Sequence, residues 1–527
     1  MATLAALATA IAALVAADLR PVRSAAETIT GPYAYLLGAS TDLGESTAPV
    51  VQLTAALRDA QKPDGLMHWA AAGGLSVRWR TGDGWAVVQG KPDDVASALD
   101  VAVHDYRGRR GQLFYASPQQ PAVPASLLGS VAEFGRILSY TPHHSSIPPL
   151  TPPFLPRDVP QPGLQPAGLH TTYNIAPLSA AGYTGKGTTI VVFAFDGFDQ
   201  ADLDMFADTF ALPRFTPEVV GDMPTQRSGE ASMDLQVAHA IAPDARKVLV
   251  NARPTVEGGG TYEKIAALME SVDRRYPGAV WTLSIGWGCD KLITAADLAP
   301  VREAIAAAQT RGTTVFDASG DLAGLECKGG QDWAAPPGPA DIGLDAVASL
   351  PEVTNVGGTT LTTDADYRWL DEHAWFDAPL TQGTGGGVSN LFERPQWQAN
   401  ITPPQNSQRR LVPDVAAVAD SNTGVVIVLN QHRLLGGGTS QAAPLWAGIT
   451  AVMNQFLLDN GGRPPGNLNA VLYRLAGGAT RPGFRDITQG ANAVALSGPG
   501  YDMVTGLGTP NVDNLARNIL DLQRGRL

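Results

Sequence analysis

The sequence predicts an α/β protein in which a parallel sheet is flanked by helices, preceded by a smaller α+β unit. Three observations predict it. Beyond residue 167, short β-like runs alternate with helical ones, the order that builds a parallel sheet. Between residues 75 and 103 a hairpin pattern leads into an amphipathic helix, the mark of an α+β unit. A stretch crowded with prolines, from Thr141 to Pro166, separates the two.

Taken in order, the chain opens on Ala2 to Ala17, almost wholly apolar. Residues 1–24 read as a signal peptide with Ala17 a fair processing position, although no Lys or Arg precedes Arg20 and the basic n-region is missing. A buried N-terminal helix is the alternative. The run is short for a membrane span, and no second apolar stretch of spanning length follows.

Residues 25–140 form the smaller unit. Leu75 to Arg80 alternates apolar and polar, turns at Gly82-Asp83-Gly84 and resumes at Trp85 to Val88, which predicts a β-hairpin. Asp93-Asp94 then opens a helix with Val95, Ala98, Leu99, Ala102 and Val103 on one face. Over residues 141–166 the prolines (Pro142, Pro148, Pro149, Pro152, Pro153, Pro156, Pro160, Pro162) predict an extended, exposed linker, with His143 and His144 solvated. In residues 167–527 the predicted strands are Thr188–Phe193, Lys247–Val250, Ala279–Ile285, Thr313–Phe316 and Val425–Leu429. Helices at Tyr262–Tyr276 and Val301–Gln309 fall between them.

Chemistry concentrates at Gly437-Gly438-Thr439-Ser440-Gln441-Ala442-Ala443-Pro444. A Gly-rich turn delivers Ser440 to the start of an apolar helix, where unpaired N–H groups and the positive dipole end favour a developing alkoxide. Pro444 fits if it falls in a first turn, which needs no i−4 partner. Taken alone, a serine N-cap after glycines explains the pattern equally well. None of the eight histidines sits in a setting typical of a catalytic base. His239, in the helical run Gln236–Ala242, is the nearest candidate and reads more simply as a locally satisfied helix histidine.

Carboxylates offer a better base. Glu230 and Asp234 stand four apart in Gly229–Gln236, on one face of a predicted helix and among apolar neighbours. Two close carboxyls in such a place cannot both ionise easily, so one holds its proton and the pair suits acid–base work. A solvated helix face is the plainer reading of the same spacing. Asp321 follows the β-like run Thr313–Phe316, near a strand's carboxyl end where ligands gather in parallel sheets. A protonated carboxyl there would donate to an oxyanion; an ordinary turn accounts for Ser319-Gly320-Asp321 as well.

Together these segments resemble the sedolisins, the serine-carboxyl peptidases. The resemblance rests on TTYNIAPLSAAGYTGKGTTIVV near residue 171, GEASMDLQ at 229, LSIGWG at 283 and ASGD at 318. It continues through VTNVGGTTL at 353, GGGVSNLFERPQWQ at 385, RLVPDVAAVAD at 410, GGTSQAAPLWAG at 437 and YDMVTGLGTPN at 501. It covers roughly residues 165–520 and implies a subtilisin-like sheet carrying Ser-Glu-Asp chemistry. Ser440 would be the nucleophile, Glu230 its general base, Asp234 the partner sharing a proton, and Asp321 the oxyanion donor. Activity would then fade toward neutral pH as Asp321 ionises. The resemblance also makes residues 25–140 a ferredoxin-like activation prodomain that blocks the cleft, and the linker its processing site.

Two departures stand out. The serine motif begins Gly-Gly-Thr where relatives commonly have Ser-Gly-Thr. Some relatives carry an outer glutamate on the first strand, linked to a tryptophan and the catalytic glutamate; Phe193 takes that place here, while Trp287 keeps the tryptophan.

Near the C-terminus, Asp486-Ile487 and the loop Gly498-Pro499-Gly500-Tyr501-Asp502 supply hard oxygen donors, which suit Ca²⁺. The resemblance implies one ion held by the Asp486 and Asp502 side chains and the carbonyls of Ile487, Gly498 and Gly500. Gly385-Gly386-Gly387 would either let a substrate strand approach or form a bend. The net charge of −13 argues against a nucleic-acid partner. The two cysteines, Cys289 and Cys327, are read as one disulfide, with free thiols the alternative. The reading is thus a secreted, monomeric, self-processing peptidase acting on proteins or peptides, set against an inert relative serving as a scaffold and a His-dependent hydrolase using His239.

Overall fold

The computed structural model of the chain describes residues 26–145, 163–328, 341–377, 382–401 and 407–527. The expected signal peptide and most of the proline-rich linker lie outside the described residues. The chain divides into two compact units. The first holds the residues up to Thr30 and Leu37–Leu138, the second Gly31–Leu36 and Ser139–Leu527.

In the first unit β1 (Val51–Leu57), α1 (Asp64–Ala72), β2 (Ser76–Arg78), β3 (Trp85–Gly90), α2 (Pro92–Leu99) and β4 (Val131–Phe134) follow one another. The antiparallel sheet order is β2-β3-β1-β4, a ferredoxin-like split β-α-β arrangement. Alternation in β1 turns Val51, Leu53 and Ala55 onto a core shared with Leu66, Val88, Val95 and Phe134. The expected hairpin is present, pairing Val77 with Val88. Helix α2 is shorter than its apolar pattern suggests. Asp100 turns left-handed at φ 56° and stops it, so Ala102 and Val103 follow the helix, although Val103 still enters the core.

The second unit is built on an eight-stranded sheet. Its strands are β6 (Thr189–Ala194), β7 (Glu218–Val220), β8 (Arg246–Asn251), β9 (Val280–Leu283), β11 (Thr314–Ala318), β12 (Thr354–Thr363), β13 (Trp369–Ala374) and β14 (Val415–Val418). The order is β7-β8-β6-β9-β11-β12-β13, with β14 also on β12, and every pairing is parallel except β12 with β13. Strands covered on both faces need unbroken apolar runs, and Ile190 to Ala194 is such a run, wholly buried. Between them lie α3 (Glu230–Ile241), α4 (Thr261–Arg275), β10 (Ile285–Trp287) and α5 (Ala295–Gln309); after them comes α6 (Thr439–Asp459). Helix α6 packs on α3 and across β9, β11, β12 and β14, so the sheet's carboxyl ends meet both helix starts.

Three sequence expectations are corrected. Val425–Leu429 does not join the parallel sheet. It becomes β15 (Val426–Leu429), paired antiparallel with β16 (His432–Leu435) across a two-residue turn. Asn430 and Gln431 both have positive φ there, the geometry of a tight hairpin, and the buried Asp202 carboxyl accepts both their N–H groups. Helix α5 begins at Ala295, well before Val301, because a capping box between Thr294 and Asp297 starts it upstream of Pro300. His143 and His144 are half-buried rather than solvated. They form β5 (His143–Ser145), antiparallel to β10, with His144 opposite Gly286. A Cβ on Gly286 would lie 2.3 Å from the His144 ring, and burial pulls the pKa of that imidazole down to about 4.

Cys289, just past β10, and Cys327, in the segment after Asp321, form a disulfide with Cα atoms 4.8 Å apart.

Candidate active site

Helix α3 carries the two predicted carboxyls, and every one of its residues is buried. Gly229 precedes it at φ 108°, and a Cβ there would stand 2.7 Å from Leu429, so both backbone and space call for glycine. Glu230 and Asp234 are 2% and 0% exposed and share one face, one turn apart. Asp234 Oδ1 accepts the Ser284 hydroxyl at 3.0 Å.

Burial is the main force pushing both carboxyls well above the ordinary acid range. Glu230 is raised next by Asp234, then by the Asp196 and Asp321 carboxyls; the Ser440 hydroxyl nearby opposes part of that rise. Among the described residues neither Glu230 oxygen nor Ser440 Oγ has a hydrogen-bond partner. Catalytic contacts are commonly loose until a substrate closes them.

Ser440 comes from the start of α6. Gly438 takes φ 83°, and its missing Cβ leaves room for Asp321 Oδ2, 2.6 Å from where that carbon would be. Asp321 Oδ1 accepts the Thr439 N–H at 2.7 Å and its hydroxyl at 2.8 Å. The structure thus brings Ser440, Glu230, Asp234 and Asp321 together at the carboxyl ends of the central strands. Pro444 lies inside α6, beyond the first turn where the sequence reading put it. Its missing N–H leaves the Ser440 carbonyl without the usual helical partner, and the Ser284 hydroxyl stands 3.1 Å from that oxygen.

Ser284 and Asp196 are the residues that sequence reasoning missed. Ser284 is the serine of the quoted LSIGWG segment, so a local signal existed. Asp196 gave none, because its partners in residues 228–231 are brought to it by the fold. His239 cannot serve as the base. It lies about two and a half turns from Glu230 on the opposite face, stacked on Phe215 and bonded through Nε2 to the Pro213 carbonyl. Burial draws its pKa down to about 3. Phe193 packs edge-on against Trp281, and the Trp287 indole donates to Thr255, so the outer chain of acid and tryptophan is absent here.

The five expected metal-binding residues fall in one C-terminal loop system. Asp486 Oδ2 accepts the Gly500 N–H at 2.8 Å, and Asp502 Oδ2 accepts that of Gly498 at 3.0 Å. Asp502 Oδ1 takes the N–H groups of Val504 and Thr505, whose hydroxyl also stands 3.5 Å from the Ile487 carbonyl. Two carboxylates beside the loop carbonyls of Ile487, Gly498 and Gly500 are an all-oxygen donor set, the kind Ca²⁺ takes. The described residues hold one tight cluster of three potential side-chain ligands, Cys289, Asp290 and Cys327, and its two sulfurs are consumed in the disulfide.

No family model matches the chain. Kumamolisin from Bacillus sp. (strain MN-32) is 34% identical over 354 residues, which is 62% of this chain and 59% of kumamolisin. Tripeptidyl-peptidase 1 from Mus musculus is 29% identical over 416 residues, covering 70% of this chain and 68% of that protein. Among solved structures, Pseudomonas sedolisin, a serine-carboxyl proteinase complexed with two molecules of pseudo-iodotyrostatin, superposes with a TM-score of 0.55 at 25% identity. That match spans 67% of this chain and 97% of sedolisin. A parallel α/β sheet with a serine set against paired carboxyls defines the class of serine-carboxyl peptidases. Within it, the chain is similar to members of the sedolisin family.

Proposed function

We propose that this chain is a secreted, self-processing serine-carboxyl peptidase that hydrolyses peptide bonds in acid. One observation carries the reading: a buried serine at a helix start lies beside two buried carboxyls, Glu230 and Asp234, that burial raises above the ordinary acid range. The Glu230 carboxylate takes the Ser440 Oγ proton as that oxygen attacks the scissile carbonyl carbon, with Asp234 holding the pair's other proton. The oxyanion accepts a hydrogen bond from protonated Asp321, whose other oxygen is fixed by Thr439. Glu230 then gives its proton to the leaving amine. Water, deprotonated by the same carboxylate, cleaves the acyl-enzyme and regenerates Ser440.

In this reading residues 25–140 are the activation prodomain, an intramolecular inhibitor, and residues 141–166 are cut during maturation. The antiparallel seating of β5 on β10, next to Ser284, supports entry of the linker into the peptidase unit as extended chain. One Ca²⁺ on Asp486, Asp502 and the carbonyls of Ile487, Gly498 and Gly500 would neutralise the paired carboxylates and tie the loop together. The disulfide suits a secreted protein, no described helix is long and apolar enough to cross a membrane, and the enzyme acts as a monomer on protein or peptide substrates.

The test compares full-length protein with Ser440→Ala at about pH 4, following loss of the N-terminal segment and digestion of an unfolded protein. The wild type should trim itself and digest, with product sizes separating endopeptidase from tripeptide-releasing action. The variant should do neither. Equal inertness of both proteins, with Ca²⁺ present, would put the scaffold reading first.

A further inference from the structure

Asp196 stands just past the carboxyl end of β6 and is 1% exposed. Its Oδ2 accepts the N–H groups of Ser228 and Gly229, each at 3.0 Å, and the Ser228 hydroxyl at 2.5 Å. Its Oδ1 accepts the Ala231 N–H at 3.0 Å. All four partners are donors, the setting of an ionised carboxylate. The position before a helix normally offers a capping side chain, but Gly229 has none. A carboxylate from another segment closes the N-terminus of α3, where the helix dipole favours negative charge. Glu230, the first residue of that helix, lies between two residues whose N–H groups Asp196 holds.

We propose that Asp196 is a positioning residue for the Glu230–Asp234 pair: it pins the first turn of α3 to the end of β6 and sets a fixed negative charge beside the pair. The inference rests on the serine-carboxyl reading. Two consequences follow from one carboxylate. The backbone contacts fix where the Glu230 side chain starts, and the charge discourages the pair from losing its shared proton as pH rises. Both Glu230 and Asp234 feel that charge in the same direction, after the larger effect of burial. The charged and titratable groups around the pair are few. Asp321 faces Glu230 from the loop after β11, while Asp202 on the helix Gln200–Thr209 is turned to the backbone of Asn430 and Gln431. Arg227 is exposed and bonded to the carbonyls of Pro224 and Gln226. His239 and Lys247 lie toward the far end of α3.

Asp196→Asn is the informative variant, since an amide can keep the three contacts at Oδ2 and loses the charge and the Ala231 contact. Its kcat/KM against pH on an unfolded protein substrate should show the high-pH limb moved toward acid by about one pH unit, with kcat at least tenfold lower. Its thermal midpoint at pH 4 should stay within a few degrees of wild type. Asp196→Ala should lose both midpoint and activity. A second readout does not need turnover. In the Ser440→Ala background, carbon-13 NMR of labelled Asp and Glu carboxyls should show the pair titrating at lower pH when Asp196→Asn is added. An unchanged limb and an unchanged titration overturn the proposal, even if kcat falls. Should Ser440→Ala itself hydrolyse like wild type, the serine-carboxyl reading fails, while the NMR titration still decides whether Asp196 acts on the pair.

Discussion

At Ser440 the backbone is held from two directions by side chains that never meet in sequence. Asp321 grips Thr439, the residue before it, and Ser284 stands over its carbonyl. In the proposed mechanism Ser440 is therefore positioned by the same groups that surround the developing charge, the rigid support such sites require. Asp321→Ala should reduce kcat about 10²- to 10³-fold with little change in KM, measured by steady-state kinetics near pH 4. A loss under threefold would remove Asp321 from the oxyanion role. Ser440, Glu230, Asp234 and Asp321 were legible in the sequence because each sits in a short local pattern, a glycine turn or a helical i,i+4 pair. Asp196 was not, since its contacts with residues 228–231 exist only once strands and helices have assembled, and Ser284 was overlooked although it lies in a quoted segment.

At the scale of elements, α3 is a wholly buried helix closed at both ends by charges from other segments. Asp196 takes its first N–H groups, and the Lys247 ammonium donates to the carbonyls of Ala242 and Pro243 just past its end. Each charge has the sign the helix dipole favours. Burial lowers the Lys247 pKa to about 7. The parallel strands β6, β8, β9 and β11 were readable because continuous apolar runs mark them, while β7, β12 and β14 were not anticipated. β15 was misplaced because its turn residues, Asn430 and Gln431, lack the glycine that signals a tight hairpin, and the fold supplies Asp202 to hold them. Helix α5 starts before the expected Val301 because Thr294 and Asp297 cap it upstream of Pro300. The disulfide joins the end of β10 to the segment following Asp321 across a sequence separation of 38. Chain entropy makes such a closure worth about 4 kcal/mol. Replacing both cysteines by serine should lower the thermal midpoint by about 5 °C or more in calorimetry, and an unchanged midpoint would show the link to be dispensable.

Across the whole molecule, the second unit buries many acids. Burial raises Asp290 to about 6 and Asp345 to about 7, and holds Asp317 and Glu326 well above the ordinary range along with the Glu230–Asp234 pair. Groups whose folded pKa lies above the unfolded value keep protons that the unfolded chain has released. Between about pH 4 and about pH 7 the folded state therefore binds more protons, and stability falls as pH rises. His144 and His239, held at about 4 and about 3, act the other way, because the unfolded chain protonates them first. The acids outnumber them, so the thermal midpoint should be several degrees higher at pH 4.5 than at pH 7. A higher midpoint at pH 7 would mean that these acids stay ionised inside the fold. The acid preference expected of the chemistry and that of the fold then share one origin, carboxyls placed where water cannot reach.

Pro444 adds a consequence of its own. By withholding one amide it makes the Ser284 hydroxyl answerable to two oxygens, the Asp234 carboxyl and the Ser440 carbonyl. A single hydroxyl proton cannot serve both fully. When Asp234 is ionised the proton leans toward it; when Asp234 carries a proton, that acid can donate to Ser284 and release its hydroxyl to the carbonyl. The first turn of α6 is thereby linked, through one hydroxyl, to the protonation of Asp234.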